Sequence, residues 1–264
     1  MGGHVSVGGL PLLAARGITH AYGDVLACAD VSFELYPGEV LGIVGESGSG
    51  KSTLLNCLSA QLRPSGGQVA FEIPGRGLTD IFELTEPERR LLMRTHWGIV
   101  FQNPRDGLRM GVSAGGNIGE RLMASGARHY GDVRSEAQQW LDHVEIDRDR
   151  TDDLPRTFSG GMQQRLQIAR ILVSKPRLVF MDEPTGGLDV SVQARLLDLL
   201  RGIVRDLELA AVVVTHDLAV VRLLADRLMV MKDGRVVEEG LTDQVLDDPH
   251  HPYTQLLVSA VLSP

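Results

Sequence analysis

Three short runs of uninterrupted apolar residues stand out along the chain, at residues 40–44 (VLGIV), 178–181 (LVFM) and 211–214 (AVVV). Runs this short with no polar alternation predict strands buried on both faces. Each is neighboured by a stretch with helical spacing, at residues 52–59, 160–174 and 192–207. Alternating helices and apolar runs predict a mostly parallel sheet covered on both sides, an α/β core. Shorter segments at 12–19, 31–35 and 69–73, separated by Gly and Pro turns, fit an antiparallel sheet at one edge. Residues 104–158 break the rhythm, because 117–125 and 132–144 read as helices and no convincing strand lies among them. A helical subdomain inserted into the core is the expectation. Gly234 and Gly240 then mark a hairpin-like stretch, and residues 253–262 read as a docking helix. No flexible linker is visible, so one unit is expected: core and β-subdomain from 1–103 and 159–245, helical subdomain at 104–158, and tail at 246–264.

Composition narrows the function. The chain has 264 residues and a formal net charge of −8, which argues against a broad basic face for nucleic acid or anionic lipid. Any phosphate site must be local. Cys28 and Cys57 belong to no CxxC or Cys/His cluster, so neither a disulfide framework nor a zinc site is expected, and a reducing cytoplasm fits. No apolar stretch approaches the ~18 residues that cross a bilayer, and MGGHVSVGGLPLL lacks the pattern of a signal peptide. No heptad run or longer repeat appears, which excludes coiled-coil-bearing ATPases and solenoids.

Candidate chemistry sits at the ends of the predicted strands. Gly45-Glu46-Ser47-Gly48-Ser49-Gly50-Lys51-Ser52 matches GxxxxGK[ST] between a strand and a helix, and Thr53 follows it. Glycines let the backbone approach phosphate oxygens, and the helix start adds its dipole. Lys51 suits the β- and γ-phosphates of ATP, and the Ser52 hydroxyl suits Mg²⁺. Asp182 and Glu183 end the next apolar run, where open α/β sheets bind ligands. Asp182 fits a Mg²⁺ contact and Glu183 the polarisation of an attacking water, although Asp-Glu-Pro is also an ordinary strand exit. His216 ends the third run, within reach of a γ-phosphate oxygen; a lone His at such a position is otherwise structural.

Phe158-Ser159-Gly160-Gly161-Met162-Gln163-Gln164-Arg165 separates this chain from other phosphate-loop enzymes. It resembles the signature motif of ABC-type ATPases. Physically, Ser159 and the Gly160 and Gly161 amides at a helix start form a second anion-binding terminus. The resemblance implies a RecA-like parallel-sheet core, an N-terminal antiparallel β-subdomain and an inserted helical subdomain. It further implies that Tyr22 stacks on adenine, that Gln102 meets Mg²⁺ and water, and that Asp189 in Gly186-Gly187-Leu188-Asp189 lies at a dimer interface. Phe158 and Met162 depart from the common LSGGQ, while Ser159 and the glycines are intact.

FSGGM together with HPYTQLL at 251–257 is similar to the oligopeptide/dipeptide/nickel importer branch. Residues 112–132, 182–202 and 247–259 are more similar to the ATP-binding subunit family of bacterial phosphonate carbon–phosphorus lyase systems. That resemblance implies a homodimer, or a heterodimer with a related ATPase subunit, attached to a soluble lyase complex. The alternative partner is a membrane permease. A DNA-repair-type ATPase is a third reading, which the negative charge disfavours.

Overall fold

The computed structural model describes residues 9–262; the first eight residues, which belong to the stretch read as lacking a signal peptide, lie outside it. The N-terminal half comprises β1 (Leu13–Tyr22), β2 (Val25–Leu35), β3 (Val40–Val44), α1 (Lys51–Leu58), β4 (Gly66–Ile73), β5 (Gly77–Asp80), α2 (Glu86–Thr95) and β6 (Trp97–Val100). Helices follow: α3 (Pro104–Gly107), α4 (Ala114–Ala124), α5 (Tyr130–His143) and, after two 3₁₀ turns, α6 (Gly160–Leu172). The remainder is β7 (Leu178–Asp182), α7 (Val190–Asp206), β8 (Ala210–Thr215), α8 (Leu218–Leu224), β9 (Arg227–Lys232), β10 (Arg235–Leu241), α9 (Thr242–Asp247) and α10 (Pro252–Leu262).

The main sheet has the order β10-β9-β3-β8-β7-β6, parallel except for the hairpin strand β10. Period-2 alternation sends its side chains to two opposite faces. Leu41, Ile43, Leu178, Phe180, Val212 and Val214 face one core with α1. Val40, Val179, Met181, Ala211 and Val213 face the other, with α4 to α7. Covering both faces is what allows unbroken apolar strands.

The antiparallel strands make up the expected N-terminal β-subdomain. They form their own sheet, β2-β1-β4-β5, whose apolar side shares the α1 core. Trp97 joins the two sheets, its ring edge-on to Phe71 at 5.4 Å and to Phe180 at 5.3 Å. Antiparallel pairing of β1 with β4, distant in sequence, brings these strands into one sheet.

No strand falls between β6 and β7. Here Asn117, fully buried, closes the 108–113 turn: its Oδ1 accepts the Arg109 N–H, and its Nδ2 donates to the Arg109, Val112 and Ser113 carbonyls at 3.0, 2.9 and 3.1 Å. Among the described residues, no helix is long and apolar enough to cross a membrane.

Candidate functional site

Strands β3, β8 and β7 end side by side, with Val44 paired to Thr215 and Asp182 to Val214. The loops that leave them therefore share one edge of the sheet. The loop after β3 requires glycine for backbone reasons. A Cβ on Gly45 would lie 2.2 Å from the Met231 carbonyl oxygen, and one on Gly50 would lie 1.9 Å from that of Ala27. At Gly48, with φ of 83°, a Cβ would meet nothing within 4 Å, so this part of the loop offers an open cradle. Ser49 ties the loop to the β9–β10 turn, its carbonyl accepting the Gly234 N–H at 3.1 Å.

Glu46, Ser47 and Gly48 are exposed, whereas Lys51 is buried in the first turn of α1. Its Nζ donates to the carbonyls of Gly45 (2.8 Å) and Glu46 (2.7 Å) and to Ser49 Oγ (3.3 Å). Burial holds this ammonium below its ordinary pKa, opposed by Glu183, Asp182 and Glu46. Ser52 Oγ donates to Asp182 Oδ1 at 3.3 Å, and Thr53 follows on the same turn. Burial raises the Asp182 carboxyl, with the Ser52 hydrogen bond opposing it. A hydroxyl and a carboxylate thus face each other beside a phosphate-loop lysine. These donors fit Mg²⁺, which takes one or two carboxylates plus substrate phosphates. Among the described residues no group of three or more His, Cys, Asp or Glu could hold a metal by itself, so nucleotide oxygens would have to complete such a site.

Glu183 adopts a left-handed φ of 44°, rare for a residue with a side chain. The strain is held by backbone bonds, with Glu183 N–H donating to Val214 at 2.8 Å and Gly186 N–H donating to the Glu183 carbonyl at 2.9 Å. Its carboxylate accepts the Thr215 hydroxyl at 2.8 Å and the His216 N–H at 3.0 Å, and His216 Nδ1 lies 2.7 Å from Oε1. Glu183 and His216, both singled out by position, are therefore direct neighbours. Thr215 is a further partner, which strand-end position alone does not single out.

Gln102 follows β6 and is exposed. A Cβ on Gly186 would lie 3.4 Å from Gln102 Nε2, which places this amide against the loop that leaves Glu183. Two buried glutamines of α6 hold both loops. Gln167 Oε1 accepts the Phe101 N–H at 2.8 Å while its Nε2 donates to the Phe101 carbonyl at 3.0 Å. Gln164 Nε2 donates to the Pro184 carbonyl at 3.0 Å. Beside them a groove of about 410 Å³ opens between α2, α4 and α6, with Arg90, Arg94, Arg121 and Arg170 around Trp97 and Phe101. Burial, then the charge of Arg170, brings Arg121 down to about 10.

Ser159 caps α6, its Oγ accepting the Met162 N–H at 3.3 Å, and Ser159 and Gly160 are exposed. Gly161 is packed so closely on α7 that a Cβ would lie 2.5 Å from Val192 Cγ1. The two atypical signature residues share one partner. The Arg150 guanidinium lies 4.4 Å over the Phe158 ring, and its Nη1 donates to Met162 Sδ at 3.6 Å. Among the described residues, no hydrogen bond joins Ser159, Gly160 or Gly161 to the Lys51 loop. Asp189 precedes α7 on the signature side, exposed and making no side-chain cap. Tyr22 is 54% exposed, its ring edge-on to that of His20 with centroids 4.8 Å apart, and it pairs with Val25 two residues before Ala27. It is thus on the hairpin that touches the phosphate loop.

A strand-to-helix phosphate loop, an acidic pair on the next-but-one strand and a serine-capped glycine helix end define an ATP-binding cassette. The chain belongs to the ABC transporter family, whose profile matches residues 28–186. An oligopeptide/dipeptide transporter C-terminal region matches residues 237–264. Over 252 residues it is 69% identical to the putative phosphonates utilization ATP-binding protein PhnK of Escherichia coli K12, covering 96% of this chain and 98% of that one. It is 40% identical over 236 residues to the dipeptide transport ATP-binding protein DppF of the same organism, covering 89% and 69%. Among solved structures, cbiO1 from Clostridium perfringens matches with a TM-score of 0.78 at 27% identity, covering 91% and 92% of the two chains. The ATP-binding cassette MJ0796, dimeric and bound to ADP and Pi after hydrolysis, matches with a TM-score of 0.77 at 30% identity, covering 87% and 98%. The chain is accordingly an ABC ATP-binding subunit that hydrolyses ATP.

Proposed function

We propose that ATP is enclosed between two protomers, the Lys51 loop of one and the Ser159 helix end of the other, and that closure drives a soluble carbon–phosphorus lyase complex in the cytoplasm. One observation carries the dimeric part. The chain has two glycine-rich helix starts, and among the described residues no hydrogen bond joins the exposed one at Ser159 to the loop at Lys51. A second γ-phosphate receptor facing outward serves a nucleotide held by another chain. The partner is this same chain or a related ATPase subunit. The dimeric, ADP- and Pi-bound state of MJ0796 is consistent with such an arrangement.

In this reading Lys51 exchanges its loop carbonyls for the β- and γ-phosphates, and Tyr22 stacks on the adenine. Gly45, Ser47, Gly48, Ser49, Gly50 and Thr53 complete the loop side, and Gly160, Gly161 and Asp189 the opposite side. Ser52, Asp182 and Gln102 hold Mg²⁺, which supplies charge neutralisation at the transferring phosphate. Glu183, held by Thr215 and His216, accepts a proton from the attacking water. The water oxygen bonds to the γ-phosphorus, the bond to the β–γ bridging oxygen breaks, and ADP and phosphate leave. His216 steadies Glu183 and faces the γ-phosphate.

The lyase assignment is supported by 69% identity to a relative named for phosphonate utilisation. The groove beside Gln102 is where the helical subdomain would meet its partner. A second reading, motor of a peptide importer, is favoured by the C-terminal match to transporters and by the similarity to DppF. Co-purification of Glu183→Gln with and without ATP separates the two. Soluble lyase subunits in the bound fraction support the first, and a membrane permease in their place overturns it.

A further inference from the structure

The C-terminal segment reaches the phosphate loop. Across 207 positions, the Glu46 N–H donates to the Tyr253 hydroxyl at 2.9 Å. The carbonyl of that same peptide group, on Gly45, accepts from Lys51 Nζ at 2.8 Å. One peptide unit at the root of the loop is therefore gripped at both ends, by Lys51 on its oxygen and by Tyr253 on its nitrogen. When Lys51 turns to a phosphate, Tyr253 is the side chain left holding it.

Tyr253 is built to stay in place. It is 5% exposed, in a cluster with Val44, Val221, Val230 and Leu246. The Lys232 ammonium lies 5.0 Å from its ring centroid. The start of α10 is anchored by Glu238, whose two carboxylate oxygens accept the His250 and His251 N–H groups at 2.8 and 3.0 Å. His251 Nδ1 then accepts the Tyr253 N–H at 3.1 Å. Burial raises the phenol above its ordinary range, which keeps it a neutral hydroxyl.

We propose that Tyr253 is a positioning residue for ATP, its hydroxyl fixing the Gly45–Glu46 peptide in the orientation that receives the triphosphate, so that the C-terminal segment is part of the nucleotide site. This rests on the reading of residues 45–52 as the phosphate loop. Removing only the hydroxyl leaves a partly buried N–H without its partner and the peptide held by Lys51 alone. The chemistry at Glu183 and His216 is untouched.

The test uses the full chain and three variants, with ATP affinity, steady-state hydrolysis and thermal unfolding measured in parallel. Tyr253→Phe raises Kd and KM for ATP roughly 3- to 10-fold, the size of one neutral hydrogen bond. Its kcat stays within about twofold and its nucleotide-free melting temperature within about two degrees of the parent. Leu257→Ala, which thins the same apolar cluster without touching the hydroxyl, lowers the melting temperature and leaves Kd unchanged. Unchanged Kd in Tyr253→Phe, or a loss of affinity that merely follows a loss of stability in both variants, overturns the proposal. Lys51→Ala separates this failure from failure of the loop reading, since an unchanged Kd there contradicts the loop itself. Hydrogen exchange needs no variant: a slow Glu46 amide in the nucleotide-free parent supports the bond, and a freely exchanging one in the folded protein overturns it.

Discussion

The phosphate-loop end and the signature end of this chain are both glycine-rich helix starts, yet they are supported in opposite ways. At Lys51 the charged group is buried and turned inward on the loop's own carbonyls, and Gly45 and Gly50 are pressed against Met231 and Ala27. At Ser159 the serine and the first glycine are exposed, and the support comes from behind, through Val192 and Arg150. One end is closed on itself within the chain; the other is a serine-capped helix start exposed at the surface. On the proposed reading, the exposed helix start at Ser159 is the part of the site offered to a second chain. Helix α6 connects the halves mechanically, since Gln164 and Gln167 hold the loops beside Glu183 and Gln102.

Substitutions tell the two ends apart. Lys51→Ala removes the ammonium of the loop and is expected to weaken ATP binding by about 100-fold or more, as read by nucleotide titration. Glu183→Gln keeps ATP binding and slows turnover by about 100-fold or more, the loss expected for a positioned base; unchanged hydrolysis removes Glu183 from that role. Ser159→Arg leaves nucleotide binding by a single chain intact and abolishes ATP-driven pairing in light scattering. Mixing Ser159→Arg with Lys51→Ala tests the contrast within a homodimer: one composite site is intact in the mixed pair, so hydrolysis reappears although each variant alone is inactive. Arg150→Ala, which loosens Phe158 and Met162, weakens pairing by roughly 3- to 10-fold with single-chain binding unchanged, on the scale of a cation–π contact. Gly98→Ala lies outside both ends. Its new Cβ would be 2.1 Å from Ile171 Cγ2, and the overpacking lowers stability by ~1–3 kcal/mol in a denaturant titration.

Much of this architecture is legible in the order of residues alone. The apolar runs at β3, β7 and β8 announce themselves because strands covered on both faces need no polar alternation. The loop at 45–52 and the acidic strand end follow from spacing. The capping box at Thr85 and Glu88 is a readable sign of α2 that hydrophobic periodicity does not capture. Gln164 and Gln167 escape notice because polar residues on a helix resemble a solvated face, and only tertiary packing shows that they are buried. Arg150 and Tyr253 act across the fold, on Met162 and Glu46, where no local pattern marks the pairing. Tyr253 lies in the HPYT stretch, whose expected docking role is a matter of backbone placement; its hydroxyl contact with the loop is a separate fact.

In the proposed arrangement each ATP is held by two chains. A structure of the Glu183→Gln protein saturated with ATP and Mg²⁺ tests it most directly. The expected result is a closed pair in which the γ-phosphate lies between Lys51 of one protomer and the Ser159 helix start of its partner. A γ-phosphate enclosed by Lys51 and Ser159 of a single chain, or an ATP-saturated protein whose Ser159 ends face away from every nucleotide, would contradict it.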